Sequence, residues 1–273
     1  MKRVLVTGGT GHLGSQLVPR LEQQGCIVRV MSRRAAPPAL NANREWAQAD
    51  LATGAGLAAA VDGVDVIIHA ASESVGSKAE QADVAGTALL LEKAQQAGVQ
   101  HIVYISIVGI DKINFSYYHH KLAAEKLIEN GPVPWTILRA PQFFSLVDLV
   151  LGKLAALPIM FVPAGWQFQA MDDGEVADHL VALALQEPAG HAPDIGGPEI
   201  LPIREIVRVW RQAHGIRKPL IYIPVFGGLS AGFRQGHNTV PHNPHGKITW
   251  AQWVQQRTQQ PQPAAARRQQ QGS

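Results

Sequence analysis

Val4-Leu5-Val6 runs directly into Thr7-Gly8-Gly9-Thr10-Gly11-His12-Leu13-Gly14, and this junction constrains the fold more tightly than any other part of the chain. Three apolar residues in a row make the kind of short run that forms a buried parallel strand. Leu13, Leu17 and Leu21 then fall on one face of a helix. A strand, a glycine turn and a helix in succession are the setting in which a glycine fingerprint marks a dinucleotide site. The glycines are spaced G-x-x-G-x-x-G. Gly8 permits the tight turn, Gly11 lets the backbone approach a pyrophosphate, and Gly14 lets the helix pack against the strand. Thr10, His12 and Leu13 complete the loop. The helix start offers free N–H groups and a partial positive charge to the phosphates.

The alternation continues downstream. Ile27–Met31, Val64–His69, Ile102–Ile107 and Trp135–Leu138 read as strands. Ala52–Val61, Thr87–Ala97 (closed by Gly98) and Leu122–Glu129 (ended by Asn130-Gly131-Pro132) read as helices. Repeated β-α-β with short connections predicts an α/β fold, a Rossmann-type doubly wound parallel sheet. Residues 1–141 are expected to form the NAD(P)-binding core. Beyond Gln142 the rhythm weakens, which predicts a smaller C-terminal substrate-binding region over 142–254, partly interleaved with the core. Val176–Gln186 and Ile203–His214 are its expected helices, and Phe143, Phe144, Trp166 and Phe168 its expected apolar roof over the cofactor. Residues 255–273 are rich in Gln, Ala, Pro and Arg without an apolar period, the pattern of a disordered tail.

Composition narrows the function. A hydrophobic fraction of 46% supplies a core, and a net charge of +3, spread along the chain, argues against a basic nucleic-acid surface. The single cysteine, Cys26, excludes an internal disulfide and reads as a buried, inert thiol at a strand start. No apolar run reaches the length of a membrane span, and Met1-Lys2-Arg3 leads into only a few apolar residues, not a signal peptide. The expectation is a cytoplasmic monomer or homodimer that acts on a small molecule, with no nucleic-acid or membrane partner.

The end of the second strand selects the cofactor. An acidic residue there accepts hydrogen bonds from a ribose 2′-OH, whereas an arginine favours a 2′-phosphate. Here the strand ends Met31-Ser32-Arg33-Arg34, with no acid. Arg33 is placed to bind phosphate, with Ser32 as a second donor, so NADP(H) is preferred and NAD(H) possible. Asp50-Leu51 follows another strand end and fits beside the adenine, although Asp50 is equally suited to cap the next helix.

Several segments together resemble the NmrA-like branch of the atypical short-chain dehydrogenase/reductases. They are Val4–Gly14, His69-Ala70-Ala71-Ser72, Asp83-Val84-Ala85-Gly86-Thr87, Tyr104–Gly109, Tyr117–Glu125, Trp135–Phe144, and Phe168–Asp178 with Ile195-Gly196-Gly197-Pro198. That branch includes NAD(P)H:quinone reductases, isoflavone-reductase-like enzymes and redox-sensing regulators. The resemblance implies that Ala70, Ala71 and Ser72 pass the cofactor's ribose and phosphates, and that Pro141 and Phe143 lie near the nicotinamide. Tyr117-x-x-x-Lys121 matches the family's Tyr-x-x-x-Lys pair, and the spacing puts both side chains on one helical face. In that chemistry the ammonium lowers the phenol's pKa and holds the nicotinamide ribose, and the tyrosine protonates a carbonyl oxygen as hydride arrives at carbon. Ser106 stands near the family's serine position as a hydrogen-bond donor to that carbonyl.

His119 and His120 point away from the pair at helical spacing, and His242-x-x-His245 lacks a carboxylate or cysteine to complete a site, so no metal is expected. The leading expectation is an NAD(P)H-dependent oxidoreductase that reduces a small apolar carbonyl or quinone. The alternative is a non-catalytic NAD(P)-binding redox sensor. A nucleotide-sugar epimerase would share the fold, but a basic cluster for a sugar phosphate is missing.

Overall fold

A computed structural model describes residues 1–72 and 81–259. The first half runs β1 (Arg3–Thr7), α1 (His12–Gln23), β2 (Ile27–Ser32), β3 (Arg44–Gln48), α2 (Leu57–Val61) and β4 (Val66–His69). A π-helical turn, Gln81–Ala85, then leads into α3 (Gly86–Gln96), β5 (His101–Ile107), α4 (Ser116–Glu129) and β6 (Trp135–Ala140). The second half contains α5 (Phe144–Ala156), β7 (Met160–Pro163), β8 (Gln167–Phe168), α6 (Asp173–Leu185), β9 (Gly190–His191) and β10 (Leu201–Pro202). It closes with α7 (Ile203–Ala213), β11 (Leu220–Ile223), α8 (Gly228–Gln235) and α9 (Trp250–Gln259).

Seven strands make one parallel sheet in the order β3-β2-β1-β4-β5-β6-β9. The chain reverses its direction of growth between β1 and β4, and in such sheets the crevice beyond that switch point holds the ligand. α1 and α6 cover one face, where Leu17, Leu21, Val176 and Leu180 pack with Val4 and Val6. α2, α3 and α4 cover the other, where Leu57, Leu90 and Ile128 pack with Leu5 and Tyr104. The second half returns α6 and β9 to the first sheet. The rest of it forms a lobe of α5, α7 and α9 around Trp210, Trp250 and Trp253. Two short pairs edge that lobe, β7 with β11 (parallel) and β8 with β10 (antiparallel).

Several expectations need correction. The helix read over Ala52–Val61 is confined to Leu57–Val61, because Gly54 and Gly56 both sit at φ +76° and turn the chain first. The sequence predicts β3 only as the strand end before Asp50; Arg44–Ala47 are half-buried, Arg44, Glu45 and Gln48 are polar, and Arg3 and Arg29 hold the strand through Glu45. α4 begins at Ser116, ahead of Leu122, and so carries Tyr117. Phe144 does not roof the cofactor. It is 3% exposed, in the second-lobe core, 5.3 Å from Trp250 and 5.8 Å from Trp253 between ring centroids. The final helix extends to Gln259, into the stretch expected as a tail, and residues 260–273 lie outside the described residues. Cys26 is buried as expected, and burial pushes its thiol pKa up.

Candidate active site

The carboxyl ends of the strands open into a cleft of about 1180 Å³. Its floor begins at the glycine turn. Gly8 adopts φ +66°, and a Cβ there would stand 2.8 Å from the Cα of Ala71. The Gly11 N–H closes the turn onto the Gly8 carbonyl at 2.8 Å. At Gly14 a Cβ would stand 2.3 Å from the Gly8 oxygen, so only glycine lets α1 start here. No side chain caps α1 and its first turn holds no acid. Its first N–H groups thus face the cleft beside Gly11, His12 and Leu13, as an anion requires.

A buried hydrogen-bond chain fixes the opposite wall. Thr7 Oγ1 accepts the N–H groups of Ala70 (3.2 Å) and Ala71 (3.1 Å). Its own proton therefore goes to His69 Nδ1, 2.7 Å away, and His69 Nε2–H donates to Thr87 Oγ1 at 3.0 Å. Thr87 in turn donates to the Asp83 carbonyl at 2.5 Å. This arrangement needs a neutral imidazole. Burial, helped by the charge of Lys121, pulls the His69 pKa down to about 3. One network thus ties the end of β1, the end of β4 and the turn that carries Asp83.

At the far end Ser32 is buried, and its Oγ accepts the Arg34 N–H at 3.2 Å and lies 3.4 Å from the Thr10 hydroxyl. Arg33 and Arg34 both line the cleft, and neither guanidinium has an acidic or hydrogen-bonding partner among the described residues. Asp50 Oδ1 accepts the Ala52 N–H at 2.9 Å. It holds a turn and caps no helix, since α2 starts only at Leu57. Leu51 is buried beside it and lines the cleft.

The middle of the cleft brings Ser106, Tyr117 and Lys121 together with Ser72 and Asp83. Lys121 is 3% exposed. Its ammonium donates to the Ile105 carbonyl at 2.7 Å and sits 4.0 Å over the Tyr104 ring. Burial pulls its pKa down to about 8, against the attraction of Asp83 and Glu125. Ser106 Oγ is buried and has no hydrogen-bond partner among the described residues. An orphaned hydroxyl on a cleft wall is a costly feature for a fold and a useful one for a ligand. Tyr117 and Ser72 hydroxyls are 3.0 Å apart, and Ser72 donates to Asp83 Oδ2 at 3.2 Å, so Tyr117 points its proton at Ser72. The expectation that the lysine lowers this phenol's pKa is not met. Burial first, and then the Asp83 charge, raise it, opposed by the Ser72 hydrogen bond.

Sequence reasoning missed Tyr118, Gln142, Asp83 and Asp173 as site residues. Asn238 donates to Gln142 Oε1 (3.2 Å), and Gln142 Nε2 donates to the Tyr118 oxygen (3.2 Å), which orients a second phenol at the cleft. Burial pushes that phenol up to about 12. Asp173, at the start of α6, accepts from Ser145 Oγ (2.5 Å) and from His12 Nε2 (2.9 Å). The Asp173 hydrogen bond raises the His12 pKa, against the opposing effect of burial. None of these contacts is local in sequence; only the quoted Asp83–Thr87 segment hinted at one of them. Arg139 is structural, paired with buried Glu125 at 3.0 and 2.7 Å. Pro141 and Phe143 line the cleft.

The remaining wall is apolar. Trp166, Phe168 and Phe233 form an aromatic cluster, with Trp166 and Phe233 centroids 4.7 Å apart. From Leu146 to Leu154 along α5, and across β7 and β11, every lining side chain is uncharged and apolar. No cluster that could hold a metal ion occurs among the described residues, and no described helix is long and apolar enough to cross a membrane.

A family model described as NAD(P)H-binding matches residues 8–145, just over half the chain. A photosystem II assembly factor from Trieres chinensis is 25% identical over 233 residues, covering 82% of this chain and 72% of that protein. A 3 beta-hydroxysteroid dehydrogenase/Delta 5→4-isomerase from Mycobacterium tuberculosis is 35% identical over 161 residues, 47% of this chain. The match spans under half of that enzyme's length, 43%. Among solved structures, a nucleoside-diphosphate-sugar epimerase from Staphylococcus aureus superposes with a TM-score of 0.77 at 16% identity, covering 93% of this chain and 100% of that one. An NADPH-dependent quinone oxidoreductase from Escherichia coli, complexed with NADPH, gives 0.75 at 15% identity, covering 93% and 99%. At such identities the superpositions establish the shared Rossmann-type fold.

Proposed function

The chain belongs to the NAD(P)H-binding family, and from that premise we propose that it is an NADPH-preferring oxidoreductase that reduces an apolar carbonyl or quinone. One observation carries the reading: a single cleft runs from the glycine cradle, past Ser106, Tyr117 and Lys121, to an uncharged aromatic and aliphatic wall. The cradle fits the cofactor, since a Cβ at Gly8 or Gly14 would collide with backbone and the α1 N–H groups are uncapped. Arg33 and Arg34, free of acidic partners among the described residues, fit a 2′-phosphate.

When bound, the reduced nicotinamide supplies a hydride to the carbonyl carbon. Everything else falls to the chain. Lys121 holds the ribose hydroxyls with donors that the Ile105 carbonyl leaves over. Ser106 donates to the substrate oxygen and thereby gains the partner it lacks. Tyr117 gives its proton to that oxygen as negative charge develops there. Ser72, hydrogen-bonded to Asp83, orients the phenol, and solvent returns the proton that Tyr117 gives up. Because the Tyr117 pKa is raised, the phenol stays protonated at neutral pH, the state that reduction needs.

The uncharged substrate wall argues against a nucleotide sugar, whose diphosphate calls for cations. The test is oxidation of NADPH and NADH against a panel of quinones and aromatic ketones. Turnover with NADPH favoured over NADH supports the reading. Tight NADPH binding without turnover across the panel would replace it with the redox sensor.

A further inference from the structure

The substrate half of the cleft does not close. Leu146, Val150, Phe161 and Ile223 line it and are still 48%, 46%, 41% and 36% exposed. Phe161 and Ile223 belong to the β7–β11 pair, in which Phe161 lies directly opposite Ile221. Phe161, Ile221 and Ile223 all point outward from that pair, and among the described residues nothing covers them. Parallel strands are normally covered on both faces. An apolar track therefore leaves the site along α5 and over β7–β11. A dinucleotide and a single small ring do not account for this track.

Resting on the reductase reading, we propose that the substrate is amphiphilic: a carbonyl or quinone ring at Tyr117 with a long apolar chain that runs out along α5 and over β7–β11. The track from Leu146 to Leu154 spans about 12 Å of helix at 1.5 Å per residue, which suits a chain near decyl length. A sterically closed pocket would penalise such a chain, whereas this open, uncharged one rewards it. Each methylene buried on the track strengthens binding about fourfold, until the chain passes the rim.

The experiment is a series of 1,4-benzoquinones carrying methyl to decyl chains, assayed with NADPH on the wild type and on Ile223→Lys. Folding of the variant is checked by its melting temperature. In the wild type kcat/KM rises at least a hundredfold from methyl to decyl. In Ile223→Lys the decyl-to-methyl ratio falls at least tenfold. Turnover of the methyl compound with no gain along the series would overturn the tail site and leave the reductase reading intact. An undiminished ratio in Ile223→Lys would overturn this route for the chain. A decyl quinone that quenches tryptophan fluorescence more strongly than the methyl compound, with no turnover of either, would support the track and overturn the reductase reading. Sedimentation showing a dimer that Ile223→Lys dissociates would overturn the proposal by assigning the face to a second copy.

Discussion

Replacing Lys121 by Met is expected to leave the protein more stable and unable to hold its cofactor. Lys121 is fully enclosed, and its pKa falls from 10.5 to about 8. A base whose folded pKa lies below its unfolded one binds fewer protons when folded, so its contribution to stability rises with pH between about 8 and 10.5. At pH 7 the whole penalty is present, about 3 kcal/mol at 1.36 kcal/mol per unit. Methionine matches the length of the stem without the charge. It forgoes the Ile105 hydrogen bond from a charged donor, about 2 kcal/mol, so the net gain at pH 7 is about 1 kcal/mol. Urea unfolding of both proteins at pH 7 and pH 10 measures this, and the advantage of the variant should shrink toward the higher pH. Fluorescence titration should show NADPH affinity lost by at least tenfold in Lys121→Met. A variant less stable than the wild type at pH 7, or one with the same pH dependence, would refute the argument that the ammonium is kept at the expense of the fold.

Tyr117→Phe should lower carbonyl reduction by about a hundredfold or more with NADPH affinity nearly unchanged; steady-state rates that do not move would remove Tyr117 as the proton donor. Arg33→Ala should weaken NADPH about tenfold through loss of one exposed, charge-assisted contact and spare NADH, which parallel binding titrations can read. His69 has a folded pKa near 3 against 6.5 unfolded, so stability is complete above about pH 6.5 and lost as pH falls toward 3. Between pH 7 and pH 4 this amounts to about 3 kcal/mol. His69→Asn should start less stable at pH 7 and lose about that much less on acidification in paired urea titrations.

Local pattern alone determined the β1–turn–α1 unit, because a run of apolar residues, three glycines and a leucine stripe leave the backbone few alternatives. The same holds for β5, α3 and the Tyr117–Lys121 spacing, and together these made the doubly wound sheet legible. Where local signals compete, the sequence was a poorer guide. Gly54 and Gly56 broke a helix that alanines favour, polar β3 survives through Glu45 ion pairs with distant arginines, and Phe144 is core because α9 brings Trp250 and Trp253 to it. The site divides in the same way. Gly8, Gly11, Gly14, Arg33 and Lys121 announce themselves by spacing. The Ser72–Asp83 contact, the His69 bridge, the Asn238–Gln142–Tyr118 relay and the His12–Asp173 pair join segments far apart in the chain. A pKa follows burial and neighbours, so the raised Tyr117 and lowered Lys121 are products of the tertiary structure. So is the open apolar track, since only the pairing of β7 with β11 puts Phe161 and Ile221 side by side on an uncovered face.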